Sequence, residues 1–333
     1  MTRRSIATVS VSIAVLIAVA MPSSPGLATS PGANGRIAYR VYFNDAHTWG
    51  AVFTIKPDGT GLRHVTHPQR GVVHESPDWS ADGRWIVYNR IWEGHRGRIF
   101  KIHPDGSGRM NLSRTCTPAV NCVIDARPAW SPDGERIAFW RGFGHRPSQD
   151  PREADLMVMR ADGTGVRKVT DHDRPIAYGD FGPQWSPNGE RLVFNRLNKK
   201  RGLWAVMTIK LDGTGVRRLT PWRLDAGGGP DWSPDGRWIV FRSHTTTHLE
   251  RTNVCLVHPN GTGLHRITST EGGTISWLSS SFSPDGNRIA VGRAPGVGEA
   301  ADVWTMKLDG SDLQNVTQSA RWDSFPDWGP RRT

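Results

Sequence analysis

Short apolar runs rich in β-branched and aromatic residues recur along the chain, each bounded by turn-forming residues. One set occupies residues 136–140, 191–194, 237–241 and 288–291, and a second set follows at 156–159, 206–209, 254–257 and 303–306. A shorter run then ends in Val65-Thr66, Leu112-Ser113, Val169-Thr170, Leu219-Thr220, Ile267-Thr268 or Val316-Thr317. Their length and composition predict β-strands, because branched and aromatic side chains suit a pleated, buried surface.

The turns between these runs repeat. Trp79-Ser80-Ala81-Asp82-Gly83, Trp130-Ser131-Pro132-Asp133-Gly134, Trp185-Ser186-Pro187-Asn188-Gly189 and Trp232-Ser233-Pro234-Asp235-Gly236 are followed by Phe282-Ser283-Pro284-Asp285-Gly286 and a shortened Trp328-Gly329-Pro330. The aromatics are spaced by 51, 55, 47, 50 and 46 residues, the period of a propeller blade. A second marker alternates with the first: Asp58-Gly59, Asp105-Gly106, Asp162-Gly163, Asp212-Gly213, Asn260-Gly261 and Asp309-Gly310. Asp-Gly and Asn-Gly supply the positive φ that tight hairpins require. The expected fold is therefore all-β: a six-bladed β-propeller of four-stranded antiparallel blades, each sheet burying its faces against its neighbours. The first strand-like segment, 36–39, lacks a preceding marker, and the last marker lacks following strands. Joined, 323–328 and 36–66 make one blade, so the C-terminal strand is expected to pair with the first blade and leave no open edge.

These markers resemble the TolB-type propeller repeats, a WD-like family with a Pro-Asp-Trp-Ser-Pro-Asp-Gly core, over residues 36–330. TolB itself carries an α/β domain before its propeller, which the resemblance does not extend to here. The resemblance implies a fold and leaves function open.

Arg3 and Arg4 precede an apolar stretch from Ile6 to Met21, with small residues at Ala28, Thr29 and Ser30. This reads as a signal peptide over 1–30 followed by a propeller over 31–333, and places the mature chain outside the cytoplasm, secreted or periplasmic. The formal charge is +11, and loss of Arg3 and Arg4 with the leader leaves +9. The basic residues are scattered through every repeat, which fits a solvated surface or contact with anionic envelope polymer better than a nucleic-acid site. Of three cysteines, Cys116 and Cys122 share a linking loop and are expected to pair in an oxidising compartment, while Cys255 lies in a strand-like run.

The repeated aromatics are expected between blades and the turn acids on their own hairpins. Binding residues are sought instead where the repeat breaks. Five residues before each marker aromatic stand His74, Asp125, Asp180, Gly227, Trp277 and Asp323. Of these, His74, Asp125, Asp180 and Asp323 are the expected binding residues at the channel mouth. Their alternative role is local, as loop caps or partners of neighbours such as Arg127 and Arg321. Insertions at 115–123 and 142–155 add possible rims. There is no nucleophile elbow, no His-Glu-x-x-His and no phosphate-cradling loop, and no metal or cofactor is called for. The expectation is a monomeric, non-catalytic scaffold that binds a protein or peptide of the cell envelope. The alternative is a polysaccharide lyase or hydrolase with its site at the channel mouth.

Overall fold

The computed structural model describes residues 32–92, 96–143, 154–171, 178–244, 252–269, 275–296 and 299–332. Residues 1–30, where the sequence suggests a leader, and most of the 142–155 insertion lie outside the described residues. The fold is all-β: three four-stranded antiparallel sheets stand apart, and the other strands form one twelve-stranded sheet in which three antiparallel groups of four are joined by the parallel pairs Gly50–Val73 and Gly97–Ile124. The regular unit is clearest in Tyr178–Trp185, Arg191–Asn198, Leu203–Lys210 and Arg217–Arg218, which pair in chain order. The same order holds for Val73–Trp79, Ile86–Trp92, Arg96–Ile102 and Met110–Asn111, and again for Cys122–Trp130, Arg136–Phe143, Ala154–Arg160 and Arg167–Lys168. It recurs in Asp231–Trp232, Ile239–His244, Thr252–Val257 and His265–Arg266, then in Ser276–Phe282, Arg288–Ala294, Asp302–Lys307 and Gln314–Asn315. The remaining group joins the two ends of the chain. Trp322–Pro330 pairs with Asn34–Tyr42, which continues to Gly50–Ile55 and Arg63–His64.

The turn chemistry acts locally, as the motif requires. In each full marker the serine hydroxyl donates to the Asp or Asn Oδ1 two residues on, as Ser186 Oγ does to Asn188 Oδ1 at 2.7 Å. It also accepts the N–H five residues on, as from Arg191 at 2.9 Å. The glycine that follows takes a φ of 65–72°, open to it because it has no Cβ. The Val-Thr ending of the outer strand has an equally direct cause. Thr66, Ser113, Thr170, Thr220, Thr268 and Thr317 each accept, through the hydroxyl, a backbone N–H of the third strand at 2.8–3.0 Å. The two-residue outer strand thus leaves no donor there unsatisfied.

The core lies between successive sheets. Trp185 is fully buried with Ala129, Leu156 and Val169 of the preceding group. Trp130, Trp232 and Phe282 pack in the same way. An equivalent cluster unites Ala290, Val303 and Val316 with Ile37, Tyr39 and Trp328, so the last sheet packs on the group formed by both chain ends. Sheets are also tied through the residue before the marker aromatic. Asp327, Asp78 and Asp231 accept the backbone N–H of Trp79, Trp130 and Phe282 in the next group at 2.7–2.8 Å.

Candidate functional site

Where the innermost strand extends upstream of its aromatic, its pairing is broken about three residues before that aromatic. Register shifts occur between Glu75 and Asp78, Ala126 and Ala129, Phe181 and Gln184, and Trp277 and Ser280. At the bulge the backbone turns to positive φ: 51° at Ser76, 47° at Arg127, 57° at Gly182, 54° at Gly229 and 54° at Phe325. A proline follows each of these, where its missing N–H costs no ladder bond. The bulges aim Ser76, Arg127, Gly182, Gly229, Ser279 and Phe325 into one cavity of about 60 Å³ shared by every group.

Charge at this mouth is unevenly compensated. Arg40 donates to Glu75 Oε2 at 2.5 Å and to Ser324 Oγ at 2.6 Å. Its guanidinium lies 4.6 Å from the Phe325 ring centroid, and that of Arg127 lies 4.9 Å from the same ring. Glu75 acts on Arg127 through space but is bonded to Arg40, and among the described residues the hydrogen bond of Arg127 runs from its main-chain N–H to Asn89 Oδ1 at 3.2 Å. Three acids sit deeper. Burial raises Asp231 to about 7 and Asp327 to about 6, and it lifts Asp78 well above the carboxylate range, with repulsion from Asp327 adding to the effect.

A second cavity adjoins the first at Arg127 and encloses about 220 Å³. Trp140, Phe181 and Trp204 wall it, and Arg242 and His244 close its far side. The rings meet edge to face, Trp140 to Phe181 at 5.1 Å and Phe181 to Trp204 at 5.2 Å. Gly227 and Gly228 form the floor and permit this close approach. A Cβ at Gly227 would sit 2.8 Å from Trp204, and one at Gly228 would sit 2.5 Å from Arg242 Nε.

The four residues singled out in the sequence are all buried, and the described contacts send each to a different partner. Asp125 receives a bidentate pair from Arg141 at 2.7 and 2.9 Å. Asp180 receives one from Arg196 at 2.7 and 2.8 Å. These arginines face the acids across the strand pair, Asp125 opposite Arg141 and Asp180 opposite Arg196. His74 packs on Tyr88 with centroids 5.0 Å apart, and burial, reinforced by Arg90, lowers it to about 3, so the ring is neutral. Burial, with repulsion from Asp302, raises Asp323 to about 7. Cys116 and Cys122 form a disulfide with Cα atoms 5.0 Å apart, and Cys255 is buried. The sulfurs lie near Asp125, but the disulfide removes both thiolates a metal would need.

Sequence reasoning named Arg127 only as a neighbour and missed Arg242. A signal was present: glycine at 182 and 229 occupies the position held by Arg127 and Phe325, and a place where glycine alternates with large residues before proline marks positive φ.

No protein-family model matches the chain. It is 30% identical over 124 residues to an uncharacterised protein of Agrobacterium fabrum, covering 37% of this chain and 40% of that protein. It is 33% identical over 138 residues to the Tol-Pal system protein TolB of Anaeromyxobacter dehalogenans, covering 41% of this chain and 27% of the relative. These matches thus span less than half the length of either relative. The crystal structure of TolB from Acinetobacter baumannii superposes with a TM-score of 0.66 at 20% identity, over 89% of this chain and 67% of that one. With the repeat, the four-stranded groups and the inter-sheet cores, these likenesses show a β-propeller fold similar to that of TolB.

Proposed function

We propose that the protein is an extracytoplasmic binding scaffold that engages a protein or peptide of the cell envelope across the mouth of its central channel. In this reading residues 1–30 are a removable leader and residues 31–333 form a six-bladed ring. Pairing of Trp322–Pro330 with Asn34–Tyr42 and the apolar cluster shared by the last sheet and the chain ends support closure of that ring. The observation that carries the function is the set of strained bulges at the mouth. Arg127 and Phe325 hold positive φ, a conformation costing a non-glycine residue about 1–2 kcal/mol, where glycine serves two other groups. Side chains kept at that cost point to use. His74, Asp125, Asp180 and Asp323 belong to this face as its buried support: Asp125 and Asp180 hold Arg141 and Arg196, and the neutral His74 packs beneath. Likeness to TolB proteins supports an envelope partner.

The test is site-specific photo-cross-linking in envelope extract with p-benzoylphenylalanine at position 325. A discrete adduct is expected there and none at Leu62, which is exposed on an outer hairpin and does not line the channel cavity. Equal labelling at both positions, or none at 325, would overturn the reading.

A further inference from the structure

We propose that the cavity between Arg127 and Arg242 captures the C-terminal carboxylate of a peptide whose last side chain is apolar. The inference deepens the reading of the mouth as a peptide-binding face and rests on it. Three observations converge.

The first is charge. Arg127 and Arg242 line one small cavity, and among the described residues neither makes an ion pair; Glu75, the acid that acts on Arg127 through space, is bonded to Arg40 at 2.5 Å. Arg242 spends only Nε, on the Gly227 carbonyl at 2.8 Å. The acid that acts on Arg242, Asp225, is already held by Trp204 N–H at 2.8 Å and His244 Nδ1 at 2.9 Å. Burial and repulsion from Arg127 push Arg242 down to about 10. An anion between the two arginines relieves both effects, and planar guanidiniums suit a two-oxygen carboxylate.

The second is the remaining lining. Trp140, Phe181 and Trp204 present mostly apolar surface, with the Trp140 indole N–H buried and unpaired among the described residues. Asn195 donates to Ala226 O at 2.9 Å and accepts from Gly228 N–H at 3.1 Å. A sugar acid would bring several hydroxyls to a wall where the Trp140 indole N–H can pair with one of them, at a cost of about 1–3 kcal/mol for each hydroxyl buried unpaired. A peptide end brings one carboxylate and an apolar side chain.

The third is size and access. About 220 Å³ is below the ~300–1,000 Å³ of sites for larger ligands and suits one terminal residue. Arg127 also lines the channel cavity, so the rest of the peptide has a route along the mouth. The Gly227-Gly228 floor, which no larger residue can replace without meeting Trp204 or Arg242, marks the space as built.

Trp140 and Trp204 provide the readout. N-acetyl-Ala-Ala-Phe is titrated against the full chain by tryptophan fluorescence, beside the same peptide as its C-terminal amide. A saturable change is expected with the acid, with binding at least tenfold weaker for the amide. Arg242→Met should weaken the acid tenfold or more and leave the amide unchanged. If that variant does not fold, Arg127→Met carries the same expectation, and the acid–amide comparison needs no variant. Equal binding of acid and amide, or of acid to wild type and a folded arginine variant, overturns the proposal. So does a uronic-acid trisaccharide that binds and is not displaced by the acid peptide. Failure of the broader reading is separable: adducts at position 325 persist if only the carboxylate pocket is wrong and vanish if the face is not used.

Discussion

Each innermost strand has two ends that obey different rules. At the turn end, five markers repeat one hydrogen-bond scheme, with Ser Oγ to Asp or Asn Oδ1 at 2.5–2.7 Å in every copy. Positive φ there falls on glycine. At the mouth end the backbone makes one bulge repeatedly, yet its side chains are serine, arginine, glycine and phenylalanine, three of them non-glycine at 47–54°. The first end minimises local free energy in every copy. The second retains strain in some copies and not in others, which is the signature of a surface selected for what it touches.

The turn end should therefore control stability and the mouth end should control binding. The largest effect is expected from Trp185→Ala. This ring is fully buried between two sheets and donates from Nε1 to Ala129 O at 3.0 Å. Its removal should cost about 3–5 kcal/mol, read as a fall in Tm of roughly 10 °C. Acid-peptide binding measured well below the new Tm should be unchanged. A loss of binding in the folded variant would dissolve the division between the two ends.

Asp231 sits where the two ends meet, lining the channel cavity while tying its sheet to Phe282. Burial raises this carboxyl to about 7 in the folded chain, against about 3.9 when unfolded. The folded state then binds more protons between those values, so stability falls as pH rises from about 4 to about 7. Asp231→Asn keeps an acceptor for the Phe282 N–H, gives up the one that Oδ1 offers the Trp232 N–H, and stays neutral. Its Tm relative to wild type should therefore rise from pH 4 to pH 8, by on the order of 2 kcal/mol of stability. A difference independent of pH would show that this carboxylate is not penalised by burial.

The sequence made the turn end legible because its chemistry spans only five residues: Trp-Ser-Pro-Asp-Gly carries donor, acceptor and positive-φ residue in one window. The Val-Thr endings were equally visible, although their purpose, capping a third-strand N–H fourteen residues away as Thr220 does for Val206, required the fold. The mouth was legible only as a location. Asp125 and Asp180 meet Arg141 and Arg196 sixteen residues on, through a register that a bulge shifts. Asp78 bonds Trp130 fifty-two residues on, through packing of separate sheets. Arg127 and Arg242 converge only when three sheets are stacked, and no window of sequence places them together.

The smallest effect separates the two ends most sharply, because one substitution is expected to change sign between them. Ser80, at the turn, donates to Asp82 Oδ1 at 2.6 Å and accepts from Trp85 N–H at 2.9 Å. Ser80→Gly loses both bonds and should destabilise by about 1–2 kcal/mol. Ser76, four residues earlier on the same strand, has φ of 51° and a buried hydroxyl with no partner among the described residues. Ser76→Gly removes the left-handed strain and the unpaired hydroxyl, and glycine's greater freedom in the unfolded chain offsets part of that gain. A net stabilisation of about 1 kcal/mol is expected, seen as a Tm a few degrees above wild type while that of Ser80→Gly lies below it. If both variants lose stability, the bulge is an ordinary part of the strand and the strain argument for a functional mouth fails. If only Ser80→Gly does, the strand is optimised at its turn and strained at its mouth, where the partner is expected.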